Sequence, residues 1–521
     1  MVENAPCPAC GELRPIRQLA EARTYAFWKK PDGACPACVH NQLLRTLLER
    51  GESAFHAGIQ ASWPLDTEAA YGVLPTRLRM HADPRFTGRG VTIALLDSGF
   101  CAHPDLIRPQ NRVRVWADAT QQPVQVLRFG PEEIPRWPDS AGGRDWQWHG
   151  TMTSVAAAGN GYLSHGLYSG MAPDADVVLI QVRDESGHIS SESLVRALSW
   201  LLDHAAELNL RVISMSVSGD PVEDLLGNPV DTAVQRLAEA GVCVVTAAGN
   251  DGIRRLIPPA TSPLALTIGG LDDLNDFSTD QLSLWHSNYG NAANGISKPE
   301  LVAPSVWVAA PLLPGTDIER EAADLFERRM MGENGIDDRL AELKLITSHY
   351  QHVEGTSFAA PLAAGTIACM LEARPELGPL LVREILVDTA QPVPGAAKER
   401  QGAGALHAGR AISRTLAERH DGRLQSNPEV TAAGLVFSFH DHAAVSVELH
   451  GSWNGWQSPG IACRPVEPGF WKSTTCDLPQ GVHSYKFLID GHRWLDDPAN
   501  VRKVHDGLGG WNSVVEVSFR S

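Results

Sequence analysis

Short apolar runs alternate with helix-like segments between about residues 88 and 420, and this alternation limits the fold more than any other feature of the chain. The runs VTIALL, DVVLIQV, RVISMSV and VCVVTAAG are typical of strands buried on both faces of a parallel sheet. Segments between them, such as SESLVRALSWLLDHAAEL, have the periodicity of amphipathic helices. We therefore predict a three-layer α/β domain with a mostly parallel sheet and right-handed crossovers.

The pattern changes on both sides of this domain, and 521 residues are too many for one ordinary core. Beyond about residue 425, short alternating runs such as AVSVELHG, separated by Gly, Pro, Asn and Asp, predict a small all-β sandwich or barrel. The predicted units are a cysteine-rich segment (1–50), an approach segment (51–84), the α/β domain (85–425) and the all-β unit (430–521).

The charge balance limits the kinds of partner. A net charge of −17, from 44 basic and 61 acidic residues, disfavours nucleic acid and anionic membranes, since both need clustered Lys and Arg. No apolar run reaches the ~18–20 residues of a membrane span. The first residues, MVENAPCPACGEL, lack the basic and apolar regions of a secretory signal. These features predict a cytoplasmic protein.

The cysteines fit a reducing compartment. Apolar segments surround Cys101, Cys243 and Cys369, which we expect to be buried free thiols. The sequence leaves open whether Cys463 and Cys476 pair.

Two CPAC pairs near the start of the chain predict a metal site. Each C-x₂-C supplies two thiolates from one tight turn, and two such turns complete a tetrahedral Zn²⁺ site. The predicted ligands of this structural Zn²⁺, in a zinc-ribbon-like segment, are Cys7, Cys10, Cys35 and Cys38. Disulfides or a redox pair are the alternatives, and no thioredoxin-like βαβ pattern supports the redox pair. For calcium the sequence makes no prediction.

Three residues with the chemistry of an orienting carboxylate, a base and a nucleophile occur at the ends of predicted elements. Asp97 directly follows the strand VTIALL, where open α/β sheets place their sites. His149 opens HGTMTSVAAAG, and Ser357 lies in EGTSFAAPLAAGTIACML, both small-residue segments that indicate tightly packed helices. Pro361 is expected in the first turn of its helix. Taken singly, these are a turn carboxylate, a structural histidine and an N-cap, and only the combination indicates catalysis.

The chain resembles the subtilase family of serine peptidases (peptidase S8), in which Asp, His and Ser follow one another in this order. The resemblance covers roughly residues 85–420. Its segments are DSG (97–99), HPDL (103–106), HGT (149–151), SGMAPDADV (169–177), ISMSVSG (213–219), AAGN (247–250), KPELVAPS (298–305) and GTSFAAP (355–361). It implies a subtilisin-like fold and endopeptidase activity on a protein or peptide substrate.

The resemblance also implies residue roles. Ser357 is the nucleophile, His149 the general base, and Asp97 the group that fixes the imidazole tautomer. The Asn250 side chain and the Ser357 backbone N–H are the implied oxyanion donors. The implied substrate-binding residues are Ser216, Val217, Ser218, Gly219, Ala248 and Gly249.

The chain departs from the family pattern at single positions and in two longer stretches. Met152 stands where many members carry His, and Ser218 and Ser305 stand where glycine is common. Residues 120–146 are rich in Pro and Trp, and residues 315–350 insert a charged, helical segment just before Ser357. The two stretches are either solvated decoration or a lid or partner surface over the cleft.

The C-terminal unit resembles carbohydrate-binding module family 48, the glycogen- and starch-binding family that includes the AMP-activated kinase β subunits. The resemblance covers roughly residues 430–518 and rests on VELHGSWNGWQ, GVHSYKFLIDGHRWLDDPAN and DGLGGWNSVVEV. It implies an immunoglobulin-like sandwich and an α-1,4-glucan partner. The positions that match the family's sugar platform are Trp456, Lys486, Trp494, Leu508 and Asn512. The alternative is that these tryptophans are core residues, as we expect for Trp453.

Two functions are therefore compared. The first is an active intracellular serine endopeptidase that is targeted to α-glucan by its C-terminal module. The second is a catalytically silent or latent scaffold, derived from a protease, that binds glucan or a protein partner. Since Asp97, His149, Ser357 and Asn250 are all present, the sequence favours the first.

Overall fold

The computed structural model divides into two compact units, Met1–His420 and Asp421–Ser521. The described residues are 4–6, 13–15, 23–24, 29–30, 73–138, 146–164, 166–222, 227–275, 282–292, 294–417, 428–431, 434–440, 444–467, 470–475, 478–497, 500, 503–506 and 511–517.

A nine-stranded sheet forms the centre of the first unit. Its strands follow the order β12-β11-β10-β9-β5-β8-β6-β7, and β15 also pairs with β11. All pairs are parallel except those of the edge strands β7 and β12, so the predicted mostly parallel sheet is confirmed. The strands are β5 Thr92–Asp97, β6 Val113–Asp118, β7 Gln125–Arg128, β8 Asp176–Gln181, β9 Leu210–Met215, β10 Cys243–Ala247, β11 Leu266–Asp272, β12 Ser283–Leu284 and β15 Leu301–Pro304.

Helices cover both faces of this sheet. The helices of this unit are α1 Thr76–Arg79, α2 Pro104–Ile107, α3 Trp148–Ala158, α4 Ser191–His204, α5 Pro229–Glu239, α6 Asp317–Met330, α7 Ile336–Glu342, α8 Thr356–Ala373, α9 Pro379–Thr389, α10 Lys398–Gln401 and α11 Ala408–Ala417, with a 3₁₀ turn at Tyr162–Ser164. On β5, Ile93 and Leu95 pack into the apolar cluster that contains α3 and α8. Ala94 and Leu96 pack into the cluster that contains α4 and α5. The prediction of three layers is therefore confirmed.

Helix α8 is long and apolar enough to cross a membrane, yet 83% of it is buried inside the fold. This burial is what a central helix between a sheet and a second helix requires. The small side chains of GTSFAAPLAAG let α8 approach α3 closely. A Cβ on Gly365 would lie 2.8 Å from the carbonyl oxygen of Ala157.

The insertion before Ser357 forms a sub-structure with its own core. The strands β16 Val308–Pro311, β17 Leu345–Thr347 and β18 Tyr350–Val353 form an antiparallel sheet. Between β16 and β17 lie α6 and α7, which confirm the predicted helical segment. The apolar cluster beneath them consists of Leu312, Ala322, Leu325, Ile336, Leu340 and Leu345. The hydroxyl of the buried Tyr350 donates to Oδ2 of Asp105 at 2.6 Å, which fixes the insertion to the α/β domain.

The second unit contains two antiparallel sheets, as predicted for an all-β unit. One has the order β19-β20-β24-β23 and the other β22-β21-β25-β28-β27, with β26 paired to β25. The strands are β19 Glu429–Thr431, β20 Gly434–His440, β21 Val447–Gly451, β22 Ile461–Ala462, β23 Arg464–Glu467, β24 Phe470–Thr475, β25 Gly481–Ile489, β26 Arg493–Leu495, β27 Lys503–His505 and β28 Trp511–Val517. Phe437, Leu449 and Phe487 lie in its core, and Trp453 packs against it, as expected.

Short pairs of strands form small sheets of their own. The antiparallel pairs β1 Asn4–Pro6 with β2 Leu13–Pro15 and β3 Arg23–Thr24 with β4 Lys29–Lys30 lie near the start, and β13 Gly290–Asn291 pairs with β14 Ser297–Lys298. A second 3₁₀ turn spans Ser452–Asn454. The predicted zinc ligands Cys7, Cys10, Cys35 and Cys38, together with Leu508 and Cys476, lie outside the described residues.

Candidate active site

A buried carboxylate and an imidazole meet at the end of β5. Asp97 is the last residue of the strand and is 1% exposed. Its Oδ1 lies 2.6 Å from Nδ1 of His149, the second residue of α3. Since a carboxylate only accepts, Nδ1 carries the hydrogen and Nε2 is left as the basic atom.

Two further residues hold the Asp97 carboxylate. The backbone N–H of Ser98 donates to Oδ1 at 2.7 Å, and the Thr153 hydroxyl donates to Oδ2 at 2.9 Å. Sequence reasoning missed Thr153. Its signal is the spacing of four residues from His149, which places both side chains on one face of α3.

Gly150 allows α3 to come this close to β5. A Cβ at this position would lie 2.2 Å from the carbonyl oxygen of Gly99 and 2.9 Å from Cβ of Asp97. Both contacts are too short for any side chain. The glycine after His149 is therefore required by the close approach that brings the imidazole to Asp97.

The surroundings of His149 favour its protonated form. Burial acts to lower the pKa of His149, but the charge of Asp97 and the hydrogen bond to it outweigh this effect. The charge of Arg183 also acts to lower the pKa. The net pKa lies above the ordinary value of a histidine, which suits a base that must stabilise the imidazolium it becomes.

Ser357 lies in the first turn of α8, next to His149. Gly355 precedes the helix at φ 134°, a conformation that favours glycine, and a helix start leaves the first N–H groups without intrahelical acceptors. The Phe358 ring lies 6.2 Å from the His149 ring, centroid to centroid. Ser357 Oγ donates to the carbonyl oxygen of Ser216 at 3.5 Å, and among the described contacts it makes none with His149. Catalytic hydrogen bonds often tighten only when substrate is bound.

Pro361 explains why Ser216 contacts the nucleophile. Helix α8 begins at Thr356, so Pro361 lies in the second turn and not, as predicted, in the first. A proline has no N–H, which frees the carbonyl of Ser357, four residues earlier. The Ser216 hydroxyl donates to this carbonyl at 2.7 Å and replaces the missing helical bond. The first predicted substrate-strand residue is thereby fixed to the helix of Ser357.

The side chain of Asn250 has a defined orientation beside Ser357. Its Oδ1 accepts from the backbone N–H of Thr356 at 3.0 Å and from the Thr356 hydroxyl at 2.6 Å. Because a backbone N–H can only donate, the atom that faces it must be the amide oxygen. The amide nitrogen therefore lies on the other side, near Gly355, where a Cβ would be 3.5 Å from it.

A neighbouring loop supports the segment around Asn250. Oδ1 of Asn288 accepts from the backbone N–H groups of Asp251 at 2.9 Å and Ile253 at 3.3 Å. The His286 ring bonds to the carbonyl of Asn250 through Nδ1 at 2.9 Å. Sequence reasoning missed both residues, since they are 36–37 residues away and carry no local signal.

The remaining predicted substrate-binding residues lie on two segments that follow neighbouring strands. Val217, Ser218 and Gly219 follow β9, and Ala248 and Gly249 follow β10. The backbone N–H of Gly219 donates to Pro258 at 3.0 Å, and that of Gly249 donates to the Thr356 hydroxyl at 3.2 Å. The structure thus brings the second segment directly to the residue before Ser357.

The three departures from the family pattern have different surroundings. Met152 and Ser305 are buried, at 2% and 0% exposure. They are core residues, and Ser305 accepts from the backbone N–H of Gly355 at 2.7 Å through its carbonyl, an interaction that needs no side chain. Ser218 is exposed after β9 and is the departure that faces solvent.

The C-terminal unit brings four of its five predicted platform residues together. The Trp456 and Trp494 rings lie 6.2 Å apart at 65°, and Trp494 is 44% exposed. Trp494 pairs with Leu488 on β25, two residues from Lys486 on the same face of the sheet. Lys486 Nζ lies 2.6 Å from Oδ2 of Asp506. Asn512 lies on β28, next to Ser513, which pairs with Tyr485.

The comparison with protein families agrees with this geometry. Residues 88–404, more than half of the chain, match the Subtilase family. The chain belongs to the subtilase family. The α/β domain of this subtilase is accordingly that of a serine endopeptidase, and the resemblance seen in the motifs is confirmed.

Curated relatives and a solved structure show how far the similarity extends. Serine protease AprX of Bacillus subtilis (strain 168) is 28% identical over 334 residues, which cover 63% of this chain and 67% of that protein. The probable subtilase-type serine protease DR_A0283 of Deinococcus radiodurans is 26% identical over 362 residues, and the matched region spans only 40% of its length. The solved structure of Sphericase, at 23% identity, has a TM-score of 0.42 and covers 58% of this chain and 84% of its own.

The second unit of this subtilase matches a different family. Residues 435–520 match the family described as the glycogen recognition site of AMP-activated protein kinase. The predicted identity of the C-terminal module is confirmed, and the match falls within the all-β unit. The zinc-ribbon segment has no counterpart in these matches, so it stays a prediction.

Proposed function

We propose that this subtilase is an intracellular endopeptidase in which Ser357 attacks the peptide carbonyl with Asn250 as an oxyanion donor. The observation that carries the proposal is the hydrogen-bonded pair of Asp97 and His149, at 2.6 Å, beside the helix start that holds Ser357. A serine hydroxyl is a poor nucleophile until a base removes its proton. Nε2 of His149 is the atom available for that transfer.

The steps follow from the positions of the groups. Nε2 of His149 accepts the Ser357 proton as Oγ bonds to the carbonyl carbon, and the imidazolium is stabilised by Asp97. The negative charge on the carbonyl oxygen faces the N–H of Ser357 and the amide nitrogen of Asn250. His149 then returns the proton to the leaving amine, and water repeats the sequence to release the acyl group.

Labelling with a fluorophosphonate tests the nucleophile directly. The wild type should react, Ser357→Ala should not, and the control Ser283→Ala, which changes an exposed serine on β12, should react like the wild type. Equal labelling of Ser357→Ala and wild type would remove Ser357 from this role. A wild type that never labels would favour the silent or latent scaffold.

The intracellular assignment rests on the described cysteines. Cys243 and Cys369 are buried free thiols, as expected, and burial raises the pKa of each to about 12, whereas Cys101 is only partly buried. Thiols of this kind suit a reducing compartment. Localisation of a tagged full chain to the cell interior after fractionation is the test, and recovery from the medium would contradict the assignment.

We further propose that the C-terminal module binds α-1,4-glucan and concentrates the peptidase near glucan-associated proteins. Support comes from Trp494, a large aromatic side chain that stays 44% exposed beside Trp456. A tryptophan needed only for the core would be less exposed, as Trp453 is. Aromatic faces suit the C–H faces of glucose, and Lys486 and Asn512 can donate to its hydroxyl groups.

A further inference from the structure

A cleft beside the catalytic pair is lined by residues that the reaction itself does not use. It lies at the carboxyl ends of neighbouring strands, because Asp97 on β5 pairs with Gln181 on β8, and Gln181 pairs with Asp118 on β6. The walls of the cleft include Trp146, which precedes α3, and Arg183, which follows β8. The cleft therefore begins next to the catalytic carboxylate.

Arg183 is held in one orientation in this cleft. Its Cζ lies 4.2 Å from the centre of the Trp146 ring, a cation–π contact. Its Nε donates to the carbonyl oxygen of Gly187 at 3.0 Å. The Trp146 backbone is fixed in turn, since the Ser98 hydroxyl donates to its carbonyl at 3.0 Å. The guanidinium is thus pre-ordered, which lowers the entropy lost when it binds a partner.

The carboxylates described near Arg183 do not form an ion pair with its guanidinium. Among the described residues, no Asp or Glu lies within ion-pair distance of Arg183, although Asp184 and Glu185 follow it in the chain. Oδ1 of Asp184 instead accepts from the backbone N–H groups of Ser186 and His188. Oδ1 of Asp118, which also lines the cleft, accepts from the Thr120 hydroxyl and N–H. Among the described residues, the η nitrogens of Arg183 therefore face no carboxylate and can serve an external acceptor.

The positive charge of Arg183 acts on the catalytic pair. It opposes protonation of the His149 imidazole, which places the guanidinium close to the reacting groups. A substrate side chain that enters the cleft from the scissile bond can therefore reach the guanidinium. An acidic side chain is the group that pairs best with a free, planar guanidinium.

We propose that Arg183, stacked on Trp146, forms a subsite that selects an aspartate or glutamate side chain of the substrate adjacent to the scissile bond. This inference rests on the proposed peptidase function. The segment after β8, which holds Arg183, and the predicted substrate strand after β9 follow the two strands that flank β5, the strand of Asp97. The subsite is a specificity element of this chain, since the catalytic steps need no group at residue 183.

The test is a set of internally quenched peptides in which Glu, Gln or Lys occupies each position around the scissile bond in turn. For the full-length wild type at low salt, kcat/KM should favour Glu over Gln at one adjacent position by on the order of ten-fold, as expected for one charge-assisted pair. In ~1 M salt this ratio should fall, because the cleft is open to screening. Arg183→Gln should bring the ratio close to one, and Arg183→Glu should favour Lys.

Matched controls separate this subsite from general effects. Arg128→Gln removes an exposed arginine of β7 that pairs with Glu207, and it should keep the wild-type ratio. Arg183→Lys keeps the charge without the planar fork and should retain a reduced preference. Fluorophosphonate labelling of each variant confirms that it is folded and active.

The outcomes distinguish the two proposals. Peptide cleavage without a preference for Glu, a preference for Lys in the wild type, or a preference that survives in Arg183→Gln would overturn the subsite alone. A wild type that cleaves no peptide and takes no fluorophosphonate label would overturn the peptidase function and the subsite together.

Discussion

Oδ1 of Asn250 accepts two hydrogen bonds from Thr356, the residue immediately before the nucleophile. The donors are the backbone N–H at 3.0 Å and the hydroxyl at 2.6 Å. This pair of bonds couples the amide of Asn250 to the first turn of α8. The amide nitrogen and the N–H of Ser357 are therefore positioned by the same short segment, so the proposed oxyanion site would be ordered before substrate arrives.

Asn250→Ala should lower kcat by about 10²–10³-fold, the loss typical of removing one oxyanion donor in a subtilisin, with KM little changed. Asn250→Asp keeps an oxygen acceptor for Thr356 but removes the donor, so it should lose at least as much. Steady-state kinetics on one peptide give both constants. A change confined to KM would assign Asn250 to substrate binding instead.

The acid limb of the pH profile of kcat/KM should have its midpoint above ~6.5, the ordinary pKa of a histidine. The base must be neutral, and the pKa of His149 is raised by Asp97 in spite of burial, so kcat/KM should be lost as the pH falls through this raised pKa. Asp97→Asn removes the charge, and burial then lowers the pKa, so the limb should move to lower pH while the rate falls by about 10⁴-fold. A limb that stays in place in Asp97→Asn would contradict the assignment.

Acid should destabilise the first unit through His352. Nε2 of His352 accepts from the backbone N–H of Trp307 at 2.8 Å, so the imidazole is neutral there, and burial lowers its pKa to about 4. Stability is complete above the unfolded pKa of ~6.5 and is lost as the pH falls toward 4, by about 2 kcal/mol at pH 5. His352→Gln keeps an acceptor without this titration. Calorimetry at pH 7.5 and pH 5 should show a smaller loss in the variant, and equal losses would refute the prediction.

The purified full chain should contain one Zn²⁺. Two C-x₂-C pairs supply the four thiolates of a closed structural site, as predicted for Cys7, Cys10, Cys35 and Cys38. Elemental analysis should find the metal in the wild type and lose it after joint replacement of Cys7 and Cys10 by Ser. The buried Cys243→Ser is the control and should keep the metal. A gently purified wild type without zinc would favour disulfides or free thiols.

Glycogen or amylose should retain the full-length Ser357→Ala protein, in which self-cleavage is excluded. Adding Trp456→Ala or Trp494→Ala should abolish retention, because each removes one stacking surface from a small contact area. Val482→Ala, an exposed change on β25, should leave retention unchanged. If the parent protein stays in the supernatant, the module is better interpreted as a protein-docking domain.

The sequence predicted those parts of the fold and site that depend on local pattern. Fully apolar runs gave the parallel strands, and the small-residue helices carry His149 and Ser357 as expected. The C-terminal change to period-two runs correctly predicted an all-β unit. Asp97 was found because a strand and a polar residue at its end are adjacent in the chain.

Such local patterns do not predict contacts between segments that are distant in the sequence. The bond from Tyr350 to Asp105 spans 245 residues, and the stack of Arg183 on Trp146 joins two separate loops. The position of Pro361 could not be predicted for the same reason. The helical turn that contains Pro361 depends on where α8 begins. Gly355 and the hydrogen bonds of Thr356 to Asn250 determine that start.

The strands at the two ends of the insertion lie side by side, and this arrangement has a consequence for engineering. The backbone N–H of Leu312 donates to the carbonyl of His349 at 2.7 Å, so the two ends of the inserted segment adjoin one another. Tyr350 fixes the central strand, β18, to the α/β domain through Asp105, without a contribution from α6 and α7. The two helices can thus be replaced, provided that the replacement covers Leu312 and Leu345, which lie in the apolar cluster beneath them. A foreign domain that meets this condition would leave the catalytic residues in place, and the subtilase becomes a scaffold on which a chosen binding partner is presented at a defined point of the peptidase domain.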